Sequence, residues 1–91
     1  MSGHNIVEDA AFKAAVIRVG GYEKVDLALS TIIDGMTRNP FGYKQVSNQV
    51  MAFRYAVTKR IRTVPPLVVI FSIDTKGTVH LAHVEEYENP Y

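Results

Sequence analysis

The sequence contains no cysteine, so disulfide staples, thiol nucleophiles and zinc sites built on thiolates are all excluded. It also has no apolar run approaching the roughly 18 residues that a membrane-spanning helix needs. The first residues, Met1-Ser2-Gly3-His4-Asn5, lack a cationic region followed by an apolar core, so no secretory signal is read there and the cytoplasm is the expected compartment. Internal repeats, low-complexity tracts and linkers are missing too. A single domain over residues 1–91 is expected, with flexible ends at 1–5 and 88–91. Net charge is scarce as well, at +1.

What is present is ordinary for a globular domain: 91 residues, 47% hydrophobic and 21% charged. A chain this short buries only about 60–65% of its unfolded surface. A partner or a homodimer contact is therefore expected to add to its stability. The small net charge conceals an uneven distribution. Residues 43–62 hold Lys44, Arg54, Lys59, Arg60 and Arg62 with no acidic residue, whereas Glu85, Glu86 and Glu88 crowd the C-terminus. Such a basic segment suits a phosphate backbone, an acidic protein segment or a solvated face.

The clearest local signal is the stretch from Pro65 to Leu81. Leu67 to Ile73 is apolar but for Ser72 and rich in β-branched and aromatic residues, which suits a central strand covered on both faces. Pro65 and Pro66 cannot donate ladder hydrogen bonds and mark its start. Asp74-Thr75-Lys76-Gly77 offers the turn to a second strand.

Upstream, Ala10 to Arg18 reads as a helix with acid before it and Gly20-Gly21 after it. A second helix starts near Tyr22, with an apolar stripe of Val25, Ala28, Leu29, Ile32, Ile33 and Met36, and ends at Asn39-Pro40. From Met51 the period becomes two. Met51, Phe53, Tyr55 and Val57 are expected to face the core, and a strand continuing without a bulge would set Arg54, Arg60 and Arg62 in one basic row on the other face. The residues between Gly42 and Val50 read as a loop or weak edge element, and Asn5 to Val7 as a short strand. The expected class is α+β, with an N-terminal helical hairpin packed on a three- to four-stranded antiparallel sheet.

That order, with the Asn39-Pro40 helix end, the basic strand, the Pro-Pro-Leu-Val-Val-Ile-Phe-Ser-Ile-Asp strand and Gly-Thr-Val-His-Leu-Ala-His-Val-Glu-Glu, resembles the RelE/ParE toxin superfamily of bacterial toxin–antitoxin systems over roughly residues 8–87. The resemblance implies a RelE/ParE-like fold and a small cytoplasmic toxin. It further implies silencing by an antitoxin with an acidic helical segment, and a target at the translating ribosome and its messenger RNA or at gyrase.

The RNA-cleaving members use strand cations and a C-terminal Tyr or His, without a metal or other cofactor. By that resemblance Arg60, Arg62, His83 and Tyr87 are the candidate catalytic residues of a metal-independent endonuclease. Lys44, Arg54, Tyr55, Lys59, Arg60 and Arg62 are the candidate binding residues for nucleic acid or a partner. Two places depart from the family's pattern, since Pro66-Leu67-Val68 stands where the central strand usually opens with an Arg, and Glu85-Glu86 where basic residues follow the last strand. Those departures keep a second reading open, a non-catalytic interaction module on the same fold, such as a degenerate toxin or a phage or accessory protein.

The histidines and aromatics also have plainer roles. His80 and His83 would share a face on a helix, but an unbroken strand puts them on opposite faces, so no metal site is read from them. His4 falls in the expected flexible start. Phe53 and Tyr55 are read chiefly as core residues, with base stacking beside the arginines as their functional role.

Overall fold

The computed structural model describes residues 3–45 and 53–87. Strand β1 (Ile6–Glu8) leads into helices α1 (Ala10–Val19), α2 (Tyr22–Leu29) and α3 (Ile33–Arg38), and a 3-10 turn at Pro40–Gly42 leads to β2 (Lys44–Gln45). Strands β3 (Phe53–Val57), β4 (Leu67–Ile73) and β5 (Val79–Glu86) follow. The sheet has five strands in the order β1-β5-β4-β3-β2. Its class is the expected α+β, but β1 lies parallel to β5, so the sheet is mixed and not purely antiparallel.

The β4–β5 hairpin matches the sequence reading closely. Strand β4 starts directly after Pro66, and Asp74 closes the turn by accepting the Lys76 and Thr78 N–H groups on Oδ1, each at 2.9 Å. The α1–α2 turn is likewise where two glycines belong. Gly20 and Gly21 take φ 129° and 104°, and the Gly21 N–H closes the end of α1 on the Val16 carbonyl at 2.8 Å.

All three helices contribute to one core. Phe12, Ala15 and Val16 of α1, Val25, Ala28 and Leu29 of α2, Ile32, and Met36 of α3 are buried with Ala56, Leu67, Val69, Phe71, Val79, Leu81 and Val84 of the sheet. Burying a side chain the size of Phe12 or Phe71 contributes on the order of 1.5–3 kcal/mol.

The long second helix expected over Tyr22–Arg38 is broken. Ser30 and Thr31 turn their hydroxyls back onto the Leu27 and Ala28 carbonyls, and the Thr31 and Ile32 N–H groups shift to carbonyls three residues back. Such side-chain competition unwinds a helix. The break is used: Thr31 Oγ1 accepts the Lys59 N–H at 3.1 Å, and the Ile32 carbonyl receives the Tyr43 hydroxyl at 3.4 Å.

Two expectations about faces are corrected. In β3 the residues paired with the buried Val69 and Phe71 are Ala56 and Arg54, so Phe53, Tyr55 and Val57 lie on the helix-free face. The helix-free side of β4 also presents apolar groups, Val68 and Ile70, and an apolar alternation on β3 therefore did not mark the core side. In β5 a bulge at Ala82 shifts the register between Ile70↔His83 and Phe71↔Leu81. With that extra residue His80 and His83, opposite Ser72 and Ile70, share the helix-free face.

His4, read as part of a flexible start, is held at several points. Its N–H donates to the Thr37 carbonyl at 2.9 Å, its Nδ1 lies 2.6 Å from the Gly77 carbonyl, and its ring meets Phe41 edge-on. The expected flexible end at 88–91 and Met51 lie outside the described residues. No helix among the described residues is long and apolar enough to cross a membrane.

Candidate functional site

The helix-free face is built from three cross-strand rows. The register Lys44↔Tyr55, Tyr55↔Ile70 and Ile70↔His83 runs one row across β2, β3, β4 and β5. Val57, Val68 and Glu85 form the next row toward the β3–β4 loop, and Phe53, Ser72 and His80 the row on the other side. Three residues from separate parts of the chain, Lys44, Tyr55 and His83, are thereby brought onto one line. The His83 Nε2 lies 3.1 Å from Glu85 Oε1, a carboxylate that orients the imidazole.

The basic row does not form as a strand. Strand β3 ends at Val57, and residues 58–66 make a loop. Ile61 and Val64 exchange both backbone hydrogen bonds, at 3.2 and 2.9 Å, around a two-residue turn. Such a turn wants positive φ at its first position, and Arg62 supplies it at φ 55°. The base of the loop is fixed by Thr58, whose buried Oγ1 accepts the Leu67 N–H at 2.8 Å. Lys59, Arg60 and Arg62 are exposed and project from this ordered frame.

Arg54 is placed differently from the other cations. Its Nη1 donates to the Phe41 carbonyl at 3.1 Å and to the Tyr43 carbonyl at 2.7 Å, and its guanidinium lies 5.5 Å from the Phe41 ring centroid. It braces the 3-10 turn and β2 against β3. Tyr43 beneath it packs edge-on against Phe71, with ring centroids 5.7 Å apart, and its burial raises the phenol pKa.

Tyr87 stands at the same end of the sheet as the basic loop, since its N–H donates to the Pro66 carbonyl at 3.0 Å and its side chain is 43% exposed. Lys59, Arg60, Arg62, Glu85 and Tyr87 thus gather at one end of the sheet, with His83 on the adjoining row. Glu86 turns to the helix side and pairs with Lys24 at 3.0 Å. No group of three or more His, Asp or Glu among the described residues is arranged to hold a metal ion.

Cations, an imidazole oriented by a carboxylate and a phenol at the edge of a half-buried apolar surface are groups that can bind a phosphodiester, stabilise its charge and move protons. The sequence pointed to Lys44 and His83 separately, but their alignment depends on the β2–β3 register and the β5 bulge. Glu85 reads in the sequence as part of an acidic C-terminus and, with Glu86, as a departure from the family's basic pattern; its pairing with the His83 ring is not legible there.

No protein-family model matches the chain, and no curated protein matches its sequence. Among solved structures, the toxin–antitoxin complex RelBE2 from Mycobacterium tuberculosis contains a chain with a similar fold. The TM-score is 0.63 at 11% sequence identity, over 93% of this chain and 99% of that one. The topology and the structural likeness together give this chain a RelE-like fold.

Proposed function

We propose that the chain is the toxin component of a cytoplasmic toxin–antitoxin pair and inhibits translation by engaging messenger RNA at the ribosome. The observation that carries this reading is the whole-chain likeness to a component of a toxin–antitoxin complex, reinforced by the exposed cations beside His83 and Tyr87. In this reading Lys59, Arg60 and Arg62 hold the phosphates, and Lys44 and Tyr55 contact sugar and base. If the RNA is cut, the 2′-oxygen attacks the adjacent phosphorus and the bond to the 5′-oxygen breaks. His83 takes the 2′-hydroxyl proton as that oxygen attacks and Tyr87 gives one to the 5′-oxygen as it leaves, with the arginines stabilising the phosphorane. An antitoxin with an acidic helical segment covers the same cations and keeps the toxin silent.

Glu85 favours a second reading. A carboxylate 3.1 Å from His83 opposes the approach of a phosphate, and the surrounding Val57, Val68 and Ile70 suit a protein surface better than RNA. A non-catalytic interaction module on the same fold would carry these features. Inducing the chain alone in a bacterial host separates the two: growth arrest relieved by a cognate antitoxin supports the toxin, and unimpaired growth supports the module.

A further inference from the structure

His80 is the meeting point of two carboxylates from different parts of the chain. Its Nε2 lies 2.9 Å from Asp74 Oδ2 in the β4–β5 turn, and its Nδ1 lies 3.5 Å from Asp9 Oδ1 at the junction of β1 and α1. Both ring nitrogens therefore face acceptors, an arrangement only the imidazolium satisfies with two N–H donors. Asp9 occupies the N-cap position of α1, where a carboxylate ordinarily accepts a first-turn N–H. Here the Asp9 side chain makes no capping hydrogen bond. It has two competing uses, and the charge on His80 chooses between them.

We propose that His80 is a protonation-controlled clasp: when charged it fastens the edge strand β1 and the start of α1 to the β4–β5 hairpin, and when neutral it releases Asp9 to cap α1. Strand β1 has 3 residues and lies at the edge of the sheet beside β5, so its attachment is open to such control. The other groups around His80 leave this pairing undisturbed. Ser72 of β4 and Val7 of β1, its register partners, carry no charge. Glu8 is turned to the Tyr22 hydroxyl, at 2.7 Å. Lys76 gives its backbone N–H to Asp74, His4 meets the Gly77 carbonyl, and His83 pairs with Glu85.

The hydrogen bond to Asp74 raises the His80 pKa above its ordinary value, and the bond to His80 lowers that of Asp74. The His80 contribution to stability is therefore complete below the ordinary imidazole pKa and lost as pH rises through the raised one. The Asp74 contribution is complete above the ordinary carboxylate pKa and lost as pH falls through the lowered one. The clasp holds between those limits and opens on the alkaline side.

Two amides report its state, because the Val79 N–H donates to the Asn5 carbonyl at 2.8 Å and the Asp9 N–H to the Leu81 carbonyl at 3.0 Å. Hydrogen exchange at both, corrected for intrinsic rates and followed between about pH 5 and 8, should show protection falling at the midpoint of the His80 ring titration measured by NMR. In Asp9→Asn and in His80→Gln that step should vanish while protection in β4 is unchanged. Protection of the two amides that stays constant while His80 titrates, or a step that persists in both variants, would overturn the clasp. The wild-type profile decides the matter even if a variant does not fold.

Discussion

The Arg54 guanidinium donates to the Tyr43 carbonyl across 2.7 Å, and this bond makes Arg54 a brace instead of part of a recognition row. It shares the Phe41 carbonyl as a second acceptor and lies on the helix side of β3, opposite Phe71. Among the described residues of the basic segment, the exposed cations are Lys44 and those of the β3–β4 loop. Arg54→Ala removes two charge-assisted bonds from a half-buried site and is expected to cost about 1–3 kcal/mol, read as a lower urea midpoint. Arg54→Lys cannot reproduce the fork and should recover only part of the loss.

Phe71 is fully buried at the centre of β4. Phe71→Ala should cost about 3–5 kcal/mol, which is enough to unfold much of a domain with little stability in reserve. A melting temperature equal to that of the wild type would show that β4 is not the central strand.

Gly35 and Tyr43 should be coupled. A Cβ at position 35 would lie 2.9 Å from the Tyr43 hydroxyl oxygen but 4.0 Å from the ring carbon bearing it. Gly35→Ala, which in an open helix would stabilise by about 0.5–1 kcal/mol, is expected to destabilise by about 1 kcal/mol. Adding Tyr43→Phe removes the clashing atom, and the double variant should regain most of that loss. A double-mutant cycle in urea gives the coupling directly.

Arg62 holds a left-handed backbone at φ 55°, which costs a residue with a Cβ about 1–2 kcal/mol. Arg62→Gly should therefore leave stability unchanged or raise it, while weakening binding of RNA or an antitoxin peptide and flattening its salt dependence. Thermal melting and a salt titration of affinity read the two effects separately. Affinity unchanged by this substitution would remove Arg62 from the site.

The parts of the fold that were legible in the sequence are those set by local chemistry. Pro65-Pro66 and Asp74 to Gly77 bracket β4, and Gly20-Gly21 separates the first two helices, because proline removes a donor, Asp74 accepts from its own turn and glycine takes the positive φ other residues avoid. The face of β3 was not legible. Its inward residues are Ala56 and Arg54, a small side chain and a charged one whose acceptors lie on Phe41 and Tyr43, while the sheet's other face carries Tyr55, Val57, Val68 and Ile70. Periodicity locates such a strand without saying which side is in. The helix break at Ser30-Thr31 joins local hydroxyl competition to contacts from Lys59 and Tyr43, the bulge at Ala82 is set by pairing with β4, and the bulge alone decides that His83 joins the row of Lys44 and Tyr55. The candidate residues could be named from the sequence, but their grouping around the loop and β5 required the register.

Glu85 makes a further outcome specific. Its charge beside His83 opposes binding of free RNA in the absence of a ribosome, so the isolated chain should show little cleavage of naked message. Glu85→Gln should raise that background if His83 works at the site. No change in Glu85→Gln, with cleavage at ribosomes intact, would place proton transfer on another group.

The most direct test of the account is the rate of amino-acid incorporation in a bacterial host after the chain is induced without an antitoxin. The account predicts a prompt fall in protein synthesis with wild type and its relief in Arg60→Glu/Arg62→Glu, a variant whose exposed changes should leave the fold intact. Protein synthesis that continues unchanged on induction of a soluble, folded wild-type chain would contradict it.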